Sequence, residues 1–323
     1  MDKKILILKN DRVGDFFHSC RNLEILRYLF NDYKIDLCLS SVNIRFSDAI
    51  KHLNFNLLQT NLDLNTKDKV SIFLKLINEK YEYVFILTPK NFYFYLPLFF
   101  RKTKFLAICI DSESRGRPSK YLRSKLYKKE VNNRKTKSRK LPIYELEKKL
   151  ILSLSNDNFK DGKKSEKKEN IGNKKFLFHY KNDFFKNSED YSLENILKLL
   201  NEICCSTSMK ANVSSDLEDN EKFNGLNKNN LEKFNLINLL GPIDASELTK
   251  QIKEADLIIT PHGAISCIAA YFNKDIIDIF DSNLTKNAFY EFKPYTLGRY
   301  KFMIKPRNRL SLKVKLLKYI NNL

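Results

Sequence analysis

The sequence lacks the spacings by which histidine and cysteine residues usually bind metals or form disulfide frameworks. Its six cysteines lie mostly inside apolar segments, and no two of them are separated by two residues. The four histidines, His18, His52, His179 and His262, are scattered along the chain and have no acidic neighbours at metal-ligand spacing. We therefore expect no metal site, no cofactor and no disulfide framework, as fits a protein of the reducing cytoplasm.

Long apolar runs are also missing. Residues 91–100, NFYFYLPLFF, form a ten-residue run that is too short to span a bilayer. Because Arg101 and Lys102 follow it, this segment is expected either to pack against a sheet or to dip into a membrane interface. The apolar run near the start, residues 5–8, is too short for a signal segment. We expect a cytoplasmic protein, and peripheral contact with the inner membrane stays open.

Acidic residues are too few to balance the basic ones, so the formal net charge is +20. Much of the excess lies in residues 115–140, which contain twelve lysines or arginines and one acid, Glu130. A segment this basic attracts phosphate groups, although a solvated loop is the alternative. Nucleic acid is disfavoured as a partner, because no recognition module is present and only Tyr121 and Tyr127 interleave the charges.

The chain begins with a strand, a loop and a helix, but without the glycine pattern of dinucleotide-binding proteins. Residues 3–8 are typical of a buried strand, and residues 16–30 have the apolar periodicity of a helix. Gly14 stands alone between them, so no G-x-G-x-x-G fingerprint is present. Asp15 ends this loop, at the sheet edge where α/β proteins bind ligands. It is predicted either to cap the helix or to act in catalysis.

Residues 235–281 predict a second α/β unit. Its expected elements are a strand, a Gly-Pro turn, an amphipathic helix, a strand over 256–259, a loop over 260–263, a helix of small residues and a strand over 275–280. Gly263 in the loop lets the backbone approach a ligand at the start of the helix. His262 is predicted either to bind that ligand or to cap the helix.

Two such units indicate an α/β protein of two Rossmann-like domains with a cleft between them. The polar stretch that separates them is rich in lysine, asparagine and glutamate, as is typical of a linker. We predict an N-terminal Rossmann-like domain over 1–154, a linker over 155–174 and a C-terminal Rossmann-like domain over 175–323.

The two motif-bearing segments resemble glycosyltransferase family 9, the heptosyltransferase-like enzymes of lipopolysaccharide assembly. In that family the first strand runs into a loop that ends in Gly-Asp, here Gly14-Asp15. The second domain carries a turn, a helix, an Ala-Asp-Leu before a strand, a glycine loop and an alanine-rich helix, here Gly241-Pro242, 245–254, 255–257, Gly263 and 268–270. The resemblance implies a GT-B-like fold and transfer of a sugar, such as a heptose, from a nucleotide-sugar donor to a lipopolysaccharide-type or other surface-glycan acceptor.

The resemblance also implies roles for residues of the first domain. Asp15 is expected to be the general base that accepts the proton of the acceptor hydroxyl, with Asp11 as its hydrogen-bond partner or an alternative base. A phosphorylated glycolipid or oligosaccharide is the expected acceptor, and an anionic membrane surface is the expected neighbour. The candidate acceptor-binding residues are Lys9, Arg12, Arg115, Arg117, Lys120 and Arg123.

In the second domain, the family has a lysine after the first strand that meets the donor phosphates. Lys186 has a suitable offset here, and Lys181 is the alternative. Basic side chains and helix dipoles would then stabilise the leaving diphosphate without a metal ion. The candidate donor-binding residues are Lys186, Thr260, His262, Gly263 and Ser266.

The glycine loop of the second domain departs from the family pattern. The family has an acid and then serine or threonine before the glycine, where this chain has Pro261 and His262. It also has a histidine three residues after the glycine, where this chain has Ser266. These differences leave two other hypotheses open: a sugar-nucleotide-binding protein that has lost catalysis and, on charge alone, a nucleic-acid-binding protein.

Overall fold

The computed structural model describes residues 3–111, 119–133, 141–155, 174–185, 189–216, 223, 234–281, 283 and 293–322. These residues divide into two compact units. The first contains the described residues up to 155 together with Lys293, and the second contains those from 174 to 283 and from 294 onwards. Most of the predicted linker, residues 156–173, lies outside the described residues, so the predicted domain limits remain a prediction.

The first unit is a six-stranded parallel sheet in the order β3-β2-β1-β4-β5-β6. Its strands are β1 (Lys4–Lys9), β2 (Lys34–Ser40), β3 (Asn56–Thr60), β4 (Tyr83–Ile86), β5 (Lys104–Asp111) and β6 (Lys128–Asn133). Its helices are α1 (Val13–Leu29), α2 (Thr66–Asn78), α3 (Asn91–Phe99), α4 (Lys120–Ser124), α5 (Ile143–Leu152) and the 3₁₀ helix Asn43–Leu53. The chain moves outwards from β1 in both directions, which is the doubly wound arrangement.

The central strand explains why the early apolar run folds as it does. Ile5 to Leu8 are all buried, as expected of a parallel strand that is covered on both faces. Leu6 and Leu8 pack in one core cluster with side chains of α2 and α3. α1 packs against α5. Because β1 lies between β2 and β4, the loop that follows it has neighbouring strand ends on both sides.

The second unit repeats this architecture with the strand order β12-β11-β10-β7-β8-β9, and its strands are again parallel. Its strands are β7 (Lys175–Tyr180), β8 (Lys210–Ser215), β9 (Ile237–Pro242), β10 (Leu257–Pro261), β11 (Asp275–Phe280) and β12 (Tyr300–Ile304). Its described helices are α6 (Asn182–Phe185), α7 (Leu193–Thr207), α8 (Ala245–Glu254), α9 (Ala264–Tyr271), α10 (Arg309–Asn321) and the 3₁₀ helix Glu189–Tyr191. The predicted α/β class with two Rossmann-like units is confirmed.

Two local predictions need correction. α1 begins at Val13 rather than Phe16, so Gly14 and Asp15 belong to the first turn of the helix and not to the loop. The alternative of a solvated loop for the basic segment does not describe all of it, because its described part contains α4 and the edge strand β6. β6 pairs with the buried strand β5, and this pairing outweighs the poor strand propensity of its lysines and asparagines. Within the described ranges, no helix has both the length and the apolar character that crossing a bilayer requires.

Candidate functional site

The loop after β1 is held by the carboxyl ends of three neighbouring strands. Ser40, at the end of β2, donates a hydrogen bond to the Asp11 carbonyl at 2.8 Å. Thr88, just after β4, donates to Asp11 Oδ2 at 3.0 Å. Asn10 Nδ2 donates to Thr60 Oγ1, at the end of β3, at 3.2 Å. These bonds fix the backbone that leads into α1, and they satisfy polar groups that burial would otherwise penalise.

A buried ion cluster lies beneath this loop. The Lys9 ammonium is 2.8 Å from Asp11 Oδ2 and 3.0 Å from Glu147 Oε1, and the Lys9 side chain is 1% exposed. Glu147, on α5, is 0% exposed and also accepts hydrogen bonds from Ser19 at 2.8 Å and Asn22 at 3.2 Å. Lys9 was predicted to hold an acceptor phosphate. Its charge is instead shared by the buried carboxylate of Glu147 and the partly buried carboxylate of Asp11, so Lys9 positions Asp11.

The charges of the cluster change the pKa values of its members. Burial alone lowers the pKa of Lys9, but the charges of Asp11, Glu147 and Asp15 outweigh burial and raise it above its ordinary value. Burial raises the pKa of the Asp11 carboxyl, with a smaller contribution from Asp15, while Lys9 opposes the increase. Lys9 is therefore positively charged, and Asp11 forms an ion pair with it and accepts a hydrogen bond from Thr88. This leaves Asp15 as the better candidate base.

The carboxylate of Asp15 has no hydrogen bond or ion pair with any residue that the structure describes. Asp15 is half-buried in the first turn of α1, and its backbone carbonyl accepts a hydrogen bond from Ser19 Oγ at 3.3 Å. The N-cap of α1 is Arg12, and no side chain caps the helix. The capping role that the sequence left open for Asp15 is therefore wrong. A half-buried carboxylate without a partner, close to a helix N-terminus, is available to a ligand.

The predicted acceptor-binding arginines and lysines are only partly described. Arg12 is exposed beside the β1–α1 loop. Lys120 is exposed at the first position of α4, and Arg123 is partly buried on the same helix. Arg115 and Arg117 lie outside the described residues.

In the second unit, His262 follows β10 and is oriented by a buried acid. His262 Nδ1 is 2.8 Å from Asp278 Oδ2, and Tyr300 donates to the same oxygen at 2.7 Å. Asp278 is fully buried, whereas the His262 side chain keeps 18% of its surface exposed and stacks on Phe280 with ring centroids 4.2 Å apart. An ionised carboxylate only accepts, so Nδ1 carries the proton and Nε2 is left for a ligand.

Gly263 lies at the N-cap of α9, next to His262. A Cβ atom added there would meet no heavy atom within 4 Å, and its extended φ of 164° suits any residue. Packing within the described residues therefore does not require a glycine at this position, and the space beside it is open to a ligand. Ser266 is buried. Its hydroxyl accepts a hydrogen bond from the Gly263 N–H at 3.2 Å and donates one to the Gly263 carbonyl oxygen at 2.8 Å. Thr260 is also buried, in β10, so these two predicted donor residues shape the loop.

A second polar group lies at the ends of β7 and β8. His179 Nδ1 is 3.0 Å from Ser214 Oγ, and its Nε2 is 3.2 Å from Asp216 Oδ1. The hydrogen bond from His179 lowers the pKa of Asp216. Lys181, the alternative donor lysine, is half-exposed and 3.9 Å from Asp216 Oδ2. Lys186 lies outside the described residues. The described residues contain no group of three histidine, cysteine or acidic side chains that could hold a metal ion.

The sequence did not identify three residues of these sites. Glu147 is a buried acid among Leu146, Leu150 and Ile151 of α5, and an acid in an apolar helix stripe is a usable signal for a buried partner. Asp278 interrupts the apolar strand β11 in the same way. Tyr300 gave no signal, since a tyrosine at the start of a strand is ordinary.

Comparison with known proteins identifies the fold. No protein-family model and no curated protein sequence matches the chain. Among solved structures, a glycosyl transferase family 9 protein of Veillonella parvula is 11% identical, with 99% of this chain and 90% of that chain covered and a TM-score of 0.63. E. coli heptosyltransferase WaaC with ADP-2-deoxy-2-fluoro heptose is 12% identical, with coverage of 98% and 99% and a TM-score of 0.65.

A UDP-GlcNAc 2-epimerase of Methanocaldococcus jannaschii is also similar in structure. It is 16% identical, with 97% of this chain and 92% of that chain covered and a TM-score of 0.57. The chain therefore has the GT-B fold of the heptosyltransferases, as the sequence resemblance implied, and it shares this fold with epimerases of nucleotide sugars. Since one fold hosts different chemistries, the activity has to be argued from the sites.

Proposed function

We propose that the protein is a glycosyltransferase that moves a sugar, such as a heptose, from a nucleotide-sugar donor to a phosphorylated surface-glycan acceptor. The observation that carries this proposal is the carboxylate of Asp15 at the carboxyl edge of the first sheet, which forms no hydrogen bond or ion pair with the residues that the structure describes. In glycosyl transfer the acceptor hydroxyl must lose its proton, and a carboxylate at this sheet edge is a suitable base. The structural similarity to a heptosyltransferase with a bound ADP-sugar analogue supports a nucleotide-sugar donor.

The proposed reaction assigns one task to each unit. Asp15 accepts the proton of the acceptor hydroxyl, and the oxygen forms a bond to the anomeric carbon of the donor sugar. The bond between that carbon and the phosphate oxygen breaks, and its electron pair leaves with the nucleoside diphosphate. We propose that His262 contacts the departing phosphate through Nε2 and that the N-terminal N–H groups of α9 add a favourable dipole. We propose that this step proceeds without a metal ion.

We propose that the acceptor is a glycolipid or oligosaccharide that carries phosphate groups, and that the enzyme binds it at the cytoplasmic face of the inner membrane. Arg12 and Lys120 are exposed cations of the first unit and suit such a ligand. Arg115 and Arg117 precede α4 in the sequence, and we propose that their charges also attract the acceptor phosphates. Lys186 remains a proposed contact of the donor diphosphate.

The donor class is tested by thermal unfolding in the presence of ADP-, GDP-, UDP- and CDP-sugars. A donor present at 100 times its Kd stabilises the folded state by about 2.7 kcal/mol. We expect a clear rise in Tm with one nucleotide class, ADP-sugars first. The same donor is then expected to support transfer to a phosphorylated glycan. Donor binding without transfer would favour the sugar-binding hypothesis, and no stabilisation by any donor would contradict the proposal.

Gly263→Val is expected to weaken this stabilisation without unfolding the protein. The side chain would occupy the open space beside the α9 N-terminus, so we expect the Kd of the donor to rise by more than about tenfold, or 1.4 kcal/mol. Isothermal titration calorimetry measures the change. Gly298→Ala is the contrasting variant, because its Cβ would lie 2.2 Å from the Lys274 carbonyl oxygen and should lower Tm directly. Unchanged donor affinity in Gly263→Val would place the donor elsewhere.

His262→Ala is expected to weaken donor diphosphate binding by roughly ten- to a hundredfold. A hydrogen bond to a charged group contributes about 1.5–3 kcal/mol, and Nε2 is the atom that would make it. The matched control is His52→Ala, since His52 is 57% exposed in the first unit and should leave donor affinity unchanged. Calorimetry with the nucleoside diphosphate alone isolates this contact from those of the sugar. If both variants bind the nucleoside diphosphate equally well, His262 does not contact the donor and serves only as a hydrogen-bond partner of Asp278.

A further inference from the structure

Helix α2 carries apolar side chains on two opposite faces, and only one face is covered. Ile72 and Leu76 are buried against the sheet. Val70, Leu74 and Ile77 recur at helical spacing on the other face and are 50%, 49% and 55% exposed. A shallow groove runs along this face and includes Lys67. A helix with a regular exposed apolar stripe indicates a surface that contacts something apolar.

Helix α3 continues the same surface. Tyr95 and Phe99, one helical turn apart, are 52% and 65% exposed. Phe73 of α2 joins the helices, since its ring centroid lies 5.5 Å from that of Phe99. The sequence left open whether the aromatic run of α3 packs or dips into an interface. The structure shows packing for Tyr93, Phe94, Leu96 and Pro97 and exposure for Tyr95 and Phe99.

Four exposed cations belong to or directly follow the two helices of this surface. Lys67, Lys80, Arg101 and Lys102 are exposed, and their side chains form no ion pair within the described ranges. The acids at the same end of the helices are already neutralised. Glu79 pairs with Lys4 and with Lys75, and Glu82 pairs with Lys104 at 3.6 Å.

We propose that this surface, formed by Val70, Leu74, Ile77, Tyr95 and Phe99, docks the protein on an anionic phospholipid bilayer. Amphipathic helices with cations beside exposed aromatic and aliphatic side chains bind the boundary between lipid headgroups and acyl chains. A second copy of the chain is a poorer occupant, because a symmetric contact would bring the unpaired cations of both copies together. This inference does not depend on the proposed transfer reaction, because lipid binding needs neither donor nor acceptor.

The central test measures vesicle binding of variants. The triple variant Leu74→Gln, Ile77→Gln, Phe99→Gln is compared with wild type by co-sedimentation with vesicles of phosphatidylcholine and phosphatidylglycerol. We expect binding at least about tenfold weaker, because the three side chains supply much of the apolar area that would enter the interface. The matched control is Leu310→Gln with Val314→Gln, two residues of α10 that are 70% and 59% exposed, and it should bind like wild type.

The absence of tryptophan from the sequence provides a second measurement. Phe99→Trp places a single tryptophan at the proposed contact, and Val314→Trp places one on α10. On anionic vesicles, the first should shift its emission to shorter wavelength and be quenched by brominated lipids, whereas the second should do neither. This readout stays informative if the triple variant folds poorly.

Arg101→Gln with Lys102→Gln tests the charge, with Lys315→Gln and Lys318→Gln as the control pair on α10. The first pair should weaken binding to anionic vesicles at low salt, and the loss should shrink as salt screens the charge. Wild-type vesicle binding by the triple variant, or an unshifted Phe99→Trp emission, would overturn the proposal. A concentration-dependent dimer that the triple variant abolishes would overturn it too, since it would assign the surface to self-association.

Discussion

Asp15→Asn is expected to lower the rate of sugar transfer by about 100- to 10,000-fold, the usual cost of removing a general base. Asparagine keeps the shape of aspartate but cannot accept the proton. Because the Asp15 carboxylate has no described partner, the substitution breaks no contact, and Tm and donor affinity should stay close to wild type. Single-turnover kinetics with saturating donor and acceptor measure the effect on the chemical step.

The control for this experiment is Asp32→Asn in the same unit. Asp32 is a surface acid, 56% exposed and paired with Lys3, so its loss should leave the rate unchanged. If Asp15→Asn transfers sugar at nearly the wild-type rate, Asp15 is not the base. If both donor binding and transfer disappear together with the folded state, the residue is structural.

Lys9→Met is expected to destabilise the first unit by about 3–5 kcal/mol, since it leaves the buried carboxylate of Glu147 and the partly buried carboxylate of Asp11 without their counter-charge. Asp11 and Glu147 lie 2.8 and 3.0 Å from the ammonium, and methionine fills a similar volume without replacing its charge. Urea unfolding followed by circular dichroism measures the loss. If Lys9 instead held the acceptor, as the sequence predicted, the variant would keep its stability and raise the KM of the acceptor.

Two further variants separate charge from packing in this cluster. Lys9→Met combined with Glu147→Met should recover part of the lost stability, because one of the two unpaired carboxylates is then removed. Lys3→Met is the surface control: its pair with Asp32 is 56% exposed on both sides, and no measurable change is expected. A double variant as unstable as Lys9→Met alone would show that the cluster acts through volume rather than charge.

The sequence by itself determined the architecture and the location of the candidate base. Alternating apolar strands and amphipathic helices predicted two parallel α/β units. The two kinds of element can be told apart because a strand buried on both faces is a continuous apolar run, whereas a helix covered on one face has apolar residues at helical spacing. The Gly-Asp pair after the first strand placed Asp15 at the carboxyl edge of the sheet. The helix over 245–254 and the strand over 275–280 were predicted within the bounds that the structure shows.

The tertiary structure decided which polar residues are free and which are committed to one another. Lys9 and Glu147 are separated by 138 positions, and no local sequence pattern predicts that they form an ion pair. The same holds for His262, Asp278 and Tyr300, which follow β10, lie within β11 and begin β12, three adjacent strands of the second sheet. Local sequence encodes periodicity and turn chemistry, whereas long-range pairing of charges depends on the register of strands and the packing of helices. Within the part of the chain that the structure describes, Asp11 is bonded to Lys9 and Thr88, whereas the Asp15 carboxylate has no such bond.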